Sequence, residues 1–255
     1  MMTIPDGWLA HRAKELNTAL TFLTRIPLPL AAPGTGFDLA RSVWAFPLAG
    51  LAVGLIGAAV YALAHKWGLP DWPSAVLSVA STLVATGCLH EDGLADTADG
   101  FGGGKTRERK LEIMRDSRIG TYGVCAVAIA IVLRVSALAA LSHPVAVAMA
   151  LIAAHGAARA ALPPFMLLVP AARSDGLSQR AGAPPVAGVA VSVVLGLVLL
   201  AGLGHGSGIE AALLVGVTVI VMAWLCLAQI GGQTGDVLGA LEQACEIVIL
   251  LAALH

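Results

Sequence analysis

Long apolar runs separated by short polar breaks dominate the chain, at roughly residues 43 to 65, 74 to 90, 121 to 141, 145 to 169, 186 to 204, 209 to 230 and 237 to 254. Each is near the length at which a helix crosses a bilayer. Two runs carry internal complications. Pro163 and Pro164 remove backbone donors that lipid cannot replace, so a kink or early end is expected there. Glu242 and Glu246 fall inside the last run, four residues apart. Before the first run, Asn17 to Leu30 is too short to span and is interrupted by Pro27 and Pro29, which predicts an amphipathic or re-entrant segment at the interface. The pattern therefore predicts an all-α, polytopic membrane helix bundle of about six to seven transmembrane helices plus that N-terminal segment, forming one membrane-embedded domain over residues 1–255. Gly50, Gly54 and Gly57 serve close helix packing.

Composition agrees: hydrophobic residues make up 58% of the chain, charged residues 12%, and mean hydropathy is +0.85. Met1 to Leu30 is charged at Asp6, His11, Arg12, Lys14, Glu15 and Arg25 and lacks an apolar core with a cleavage site, so it does not read as a signal peptide. With seven spans and a cytosolic start, twelve of the fifteen basic residues fall on the cytosolic side, only Lys66 falls outside, and Arg134 and Arg159 lie within spans. That asymmetry explains the basic residues by topology and leaves no reason to invoke a nucleic-acid partner.

The chemistry gathers where the second run ends. Gly87 to Gly100 holds His90, Glu91, Asp92, Asp96 and Asp99, five ionisable groups in ten residues. If the helix that begins near Ser74 continues through, Asp92, Asp96 and Asp99 stand at i, i+4 and i+7 on one face. Three carboxylates this close either lie open to water or share a cation, and an oxygen-only set suits Mg2+ or Mn2+. The plain alternative is a solvated Asp- and Gly-rich turn. Residues 87–120, the acidic motif with its basic cytosolic loop, form the presumed site. Thr106 is placed to cap a short amphipathic helix reaching Met114, with Leu111 and Met114 on its apolar side. Gly104-Lys-Thr106 fails as a P-loop, because Asp99 occupies the position of the first glycine and no strand precedes it. Arg115, Asp116 and Arg118 offer two guanidinium forks and a carboxylate suited to a pyrophosphate with its metal, whereas lipid headgroups compete for Arg107 and Arg109.

Gln229 to Asp236 is a hydrogen-bonding turn in which Gln233 and Asp236 can serve base, sugar or metal; alternatively it is an ordinary turn with Asp236 capping the last helix. Arg134 and Arg159 lie deep enough to need partners, for which Glu242 and Glu246 are available. His155 reads as a helix-contact histidine. Cys88, Cys125, Cys226 and Cys245 are dispersed and suggest neither zinc nor disulfides.

His90-Glu-Asp-Gly-Leu-Ala-Asp-Thr-Ala-Asp-Gly100 followed by Arg107-Glu-Arg-Lys-Leu-Glu-Ile-Met-Arg-Asp-Ser-Arg-Ile-Gly-Thr121 resembles the signature of cobalamin synthase, the adenosylcobinamide-GDP ribazoletransferase family. Leu20 to Pro29, Phe46 to Gly50 and Gly231 to Asp236 add further likeness, while residues 170 to 185 add none. The resemblance implies a Mg2+-dependent enzyme of the bacterial inner membrane, with its active site facing the cytoplasm. Such an enzyme joins adenosylcobinamide-GDP to α-ribazole or its 5'-phosphate and releases GMP, a phosphotransfer from a pyrophosphate-activated substrate. On this reading Asp92, Asp96, Asp99 and Glu91 are the expected metal ligands. His90 is the first candidate to accept the hydroxyl proton and a non-ligating Asp the second. Arg25, Arg115, Asp116, Arg118, Gln233 and Asp236 are expected to bind substrate. Association with other corrinoid-pathway enzymes and self-association are compatible with it. The spaced aspartates are also analogous to those of membrane CDP-alcohol phosphotransferases. The rival from another class is a cation- or proton-coupled transporter using the acidic motif; against it, the carboxylates lie at a span end and no internal repeat is visible.

Overall fold

The computed structural model describes residues 7–27, 38–173 and 182–255. Within these the protein is helical, apart from an isolated parallel bridge between Ala171 and Gln233. Helix α1 (Trp8–Leu23) is followed by α2 (Leu39–Ser42), a single 3-10 turn and α3 (Phe46–Lys66). Next come α4 (Asp71–Thr86), α5 (Leu89–Gly103) and the short α6 (Arg107–Ile113). Then follow α7 (Thr121–Leu141), α8 (Pro144–Ala160), α9 (Leu162–Leu168), α10 (Val186–Ala201), α11 (His205–Ile230) and α12 (Gly235–Ala252). The membrane-bundle expectation holds.

The number of spans is lower than the hydropathy pattern predicts. Four stretches among the described residues are long and apolar enough to cross a membrane: Leu39–Lys66, Thr121–Leu141, Pro144–Leu168 and His205–Ile230; α4 and α5 together would make a fifth. Val186–Ala201 is apolar but short. The expected last span differs most. Helix α12 carries Asp236, Glu242 and Glu246 and buries one face after another, including both glutamates, so it is the central helix of the bundle. Lipid-facing duty falls to α11, only 11% of whose apolar window is buried. The double proline acts as expected, separating α8 from α9 at Ala161.

The second correction concerns the acidic stretch. Helix α4 does not run through it. The chain takes left-handed values at Gly87 (φ 64°) and Cys88 (φ 57°), and α5 leaves at 89° to α4. Glycine adopts that conformation freely; a cysteine there is strained. The aspartate spacing survives because all three lie on α5.

Close approaches set the packing. A Cβ on Gly50 would strike the His155 carbonyl oxygen, so α3 and α8 cross almost backbone to backbone. A Cβ on Gly93 would come within 2.8 Å of the Asp236 carbonyl oxygen, and Gly93 and Gly239 face one another where α5 crosses α12. That second crossing brings the start of α12 alongside the acidic helix. The N-terminal lead-in forms α1, packed on α3, and its chain continues extended from Thr24 to Pro27; Pro29 lies outside the described residues, as does Arg180.

Candidate active site

Helix α5 presents its ionisable residues on two faces. Asp92 is exposed, Asp96 half-buried and Asp99 buried, so the three descend from the surface into the bundle. Asp236, at the first turn of α12, is in electrostatic range of Asp92 and Asp96. It does not cap its helix: Thr234 does, accepting from the Val237 amide at 3.3 Å, while the Thr234 hydroxyl donates to Asp236 Oδ2 at 3.2 Å. The alternative of Asp236 as N-cap is thereby excluded, and its carboxylate is left to the cluster. Arg173 is in electrostatic range of both Asp96 and Asp236, and Arg115 of Asp236. Arg173 was legible in sequence only as a cytosolic charge, because the contact that places it spans more than sixty residues to the Leu111 carbonyl, at 2.9 Å.

Asp99 differs from its neighbours. Its carboxylate accepts the amides of Gly120 at 2.7 Å and Gly123 at 2.9 Å, at the N-terminus of α7. A Cβ at either glycine would fall within 2.5 Å of that carboxylate. A negative charge on the positive end of a helix is a strong anchor. Asp99 thus ties α5 to α7.

The opposite face of α5 enters an interior ionic network. Arg134 of α7 donates to Glu91 at 2.9 Å and Glu246 at 3.3 Å; Arg159 of α8 forms an ion pair with Glu242 at 2.6 Å. His155 Nδ1 lies 3.2 Å from Glu246, and His90 Nδ1 lies 3.3 Å from Arg159 and 3.6 Å from Glu242. All seven side chains are buried. The arginines therefore find the partners anticipated for them. Glu91 does not join the aspartates: it points the other way along the helix turn and neutralises Arg134. His155 is an ion-pair member as well as a helix contact. His155, Glu242 and Glu246 each place one ligand atom within 4.8 Å of the others, a spacing that could hold a metal ion. Both glutamates already meet guanidinium groups there.

A cavity of about 220 Å3 opens beside the carboxylates. His90, Asp92 and Asp236 form its polar part, and Phe22, Phe46, Leu162 and Met166 its apolar walls. His90 Nε2 has no hydrogen-bond partner among the described residues.

The basic loop folds differently from expectation. Thr106 caps α6 by accepting from the Arg109 amide at 3.3 Å, and Met114 is buried, as the pattern predicts. Arg107 is not directed to headgroups; it donates to the carbonyls of Ile230 at 2.8 Å and Ala172 at 2.7 Å, strapping the C-terminus of α11. Lys110 donates to Gln229. Arg118 turns onto Asp116, at 2.7 and 3.1 Å, on an exposed segment away from the aspartates. That pair holds the Asp116 carboxyl down at about 2, below its ordinary 3.8. Gln233 is buried, its backbone joined to Pro170 and Ala172. Arg25 rests on the elbow: its amide donates to the Ala85 carbonyl at 2.7 Å, and its side chain lies over Gly87 at the C-terminus of α4, where a cation is favoured. The four cysteines are free.

The cobalamin-5-phosphate synthase profile matches residues 15–254. The chain belongs to that family. Among its relatives, a protein of Bradyrhizobium diazoefficiens named adenosylcobinamide-GDP ribazoletransferase is 55% identical over 94% of this chain and 92% of its own. Proteins of the same name from Mesorhizobium japonicum and Azorhizobium caulinodans are 51% and 46% identical, the first over 99% of this chain and 98% of its own, the second over 94% and 95%. No solved structure matches. None of these cobalamin-5-phosphate synthase relatives carries a transporter's name, and the transporter alternative has no support.

Proposed function

We propose that this protein is the membrane transferase that joins adenosylcobinamide-GDP to α-ribazole, or its 5'-phosphate, with release of GMP. The observation that carries the reading is the near full-length identity to relatives bearing that activity in their name. What makes it chemically sensible is a carboxylate cluster at the mouth of a cavity.

A hydroxyl of ribazole attacks the phosphorus bonded to cobinamide; a P–O bond forms, the anhydride P–O bond breaks, and GMP leaves with the electron pair. Such a step needs positioning and charge neutralisation more than covalent help from the protein. The donor chemistry suits a hard divalent cation: Asp92, Asp96 and Asp236 offer oxygen only, and a shared positive charge would relieve their mutual repulsion, although among the described residues their oxygens do not converge as ligand atoms of His155, Glu242 and Glu246 do. Held by these carboxylates, Mg2+ would supply positive charge against the charge that builds on the leaving GMP. Asp99 holds α5 against α7 and so fixes the height of Asp96. Glu91 does not enter this set. Arg115 and Arg173 lower the net negative charge of the cluster, which otherwise opposes a diphosphate. His90, which lines the cavity, is the group we assign to accept the hydroxyl proton; with its Nδ1–H turned to Glu242 at 3.6 Å, Nε2 is the basic nitrogen. We place the enzyme in the bacterial inner membrane with this cluster facing the cytoplasm, because the segment between α5 and α7 carries Lys105, Arg107, Arg109, Lys110, Arg115 and Arg118.

The test is GMP release by protein purified in detergent and supplied with the GDP-activated corrinoid, ribazole and Mg2+. Asp92→Asn, Asp96→Asn and Asp236→Asn should each lower turnover by roughly 100-fold or more if a metal ligand is lost. Absence of GMP release by the unaltered protein overturns the reading.

A further inference from the structure

We infer that the cavity beside the carboxylates seats the aromatic base of ribazole, which assigns a subsite within the transferase reading and rests on it. The cavity lining is of two kinds. Its polar part is made by His90, Asp92 and Asp236. The remainder is apolar, with Phe46 stacked on Phe22 at a centroid distance of 6.5 Å, and Leu162, Met166 and Leu238 completing the wall.

Size and polarity choose between the aromatic groups that the two substrates carry. The corrin macrocycle is several times too large for about 220 Å3. Guanine is of a fitting size but carries donors and acceptors around both rings, and burying them against leucine, methionine and phenylalanine leaves them unsatisfied at a heavy cost. Ribazole's base is a benzimidazole bearing two methyl groups, with a single free ring nitrogen and otherwise apolar edges. It therefore gains from the apolar wall what guanine would lose. The direction also agrees. With the base among Phe46, Leu162 and Met166, the attached ribose lies toward His90 and Asp92, which puts its hydroxyls at the carboxylate cluster where the phosphorus must be presented. The cavity walls come from α1, α2, α3, α5, α9 and α12, so the subsite draws on helices distant in sequence.

Calorimetric binding of ribazole to the detergent-purified protein, alongside steady-state kinetics, tests this. In the unaltered enzyme, the riboside of benzimidazole lacking both methyl groups should bind about tenfold more weakly than ribazole, as two buried methyl groups are lost. Met166→Trp, which fills the cavity, should weaken ribazole binding and raise its KM by about tenfold or more, leaving the KM for the GDP-activated corrinoid within about twofold. Met166→Leu should retain ribazole affinity. Equal affinity for the methyl-free analogue overturns the assignment without need of any variant. So does a Met166→Trp protein that releases a co-purified acyl chain by mass spectrometry yet binds ribazole unchanged, or one whose KM rises for the corrinoid substrate instead. These outcomes differ from failure of the transferase reading, in which the unaltered protein releases no GMP.

Discussion

Asp99→Asn separates an anchor from a metal ligand. The buried carboxylate accepts two amides, from Gly120 at 2.7 Å and Gly123 at 2.9 Å, at the N-terminus of α7. Asparagine keeps one acceptor and turns an NH2 group toward the other amide, so one charge-assisted bond is lost along with the favourable charge at the helix end. A bond of that kind is worth about 1.5–3 kcal/mol and the helix-end charge about 0.3–1 kcal/mol, giving a destabilisation of about 2–4 kcal/mol. For a chain of this size that corresponds to a fall of roughly 5–10 °C in the unfolding midpoint. Asp92→Asn and Asp96→Asn remove a charge from a mutually repelling set, and they should leave the midpoint unchanged or raise it while turnover collapses. The assay is thermal unfolding in detergent, followed by the fluorescence of the five tryptophans, in the absence of added metal. A midpoint for Asp99→Asn equal to that of the unaltered protein, or an equally large fall for Asp92→Asn, would refute the reasoning.

Arg134→Met should destabilise the protein by about 3–5 kcal/mol by stranding Glu91 and Glu246, and Arg134→Met combined with Glu246→Gln should recover part of this; an unchanged unfolding midpoint in the single variant would count against the network. Gly93→Ala drives a methyl group to within 2.8 Å of the Asp236 carbonyl oxygen, so it should lower both stability, by about 1–3 kcal/mol, and turnover; unimpaired GMP release would show that the α5–α12 crossing yields easily. Asp116→Asn should leave the pH–rate profile unaltered above about pH 4, since a carboxyl depressed to about 2 stabilises the fold above its unfolded value of 3.8 and loses that effect only as pH falls through 2; a displaced acidic limb would be the contrary result. A cysteine at Thr106 should react with an impermeant maleimide only in inverted vesicles and one at the exposed Gly206 only in right-side-out spheroplasts; the reverse pattern would place the carboxylates on the wrong side for cytosolic substrate.

The bundle class, the break at Pro163 and the cap at Thr106 are all local consequences of residue pattern, and they are legible in sequence for that reason. The i, i+4, i+7 ladder is legible too, although the helix that bears it begins at Leu89 rather than near Ser74, because no periodicity distinguishes a left-handed cysteine from a helical one. Glu91 and Asp92 show where legibility ends. They are adjacent and chemically alike, yet one turns inward to Arg134 and the other out to the cavity, a difference fixed by which helices pack on each side of α5. Helix α12 shows it as well. Its length and hydropathy suit a span, and only the arrival of Arg134 and Arg159 explains why its glutamates can be interior. Position in the sequence assigns Arg107 to lipid headgroups, whereas it is spent on backbone carbonyls supplied by residues more than sixty positions away.

The interior network also constrains how the protein is made. Arg159 leaves the ribosome well before its partner Glu242, and Arg134, already able to meet Glu91, precedes its second partner Glu246 by 112 residues; both later glutamates lie in α12. Until that helix is synthesised, α8 carries Arg159 without its carboxylate and α7 carries Arg134 with Glu91 alone, a cost to insertion. Completion of the bundle must therefore wait for the synthesis of α12, its keystone. A chain truncated before Glu242 would keep every lipid-facing span and still be a substrate for membrane quality control.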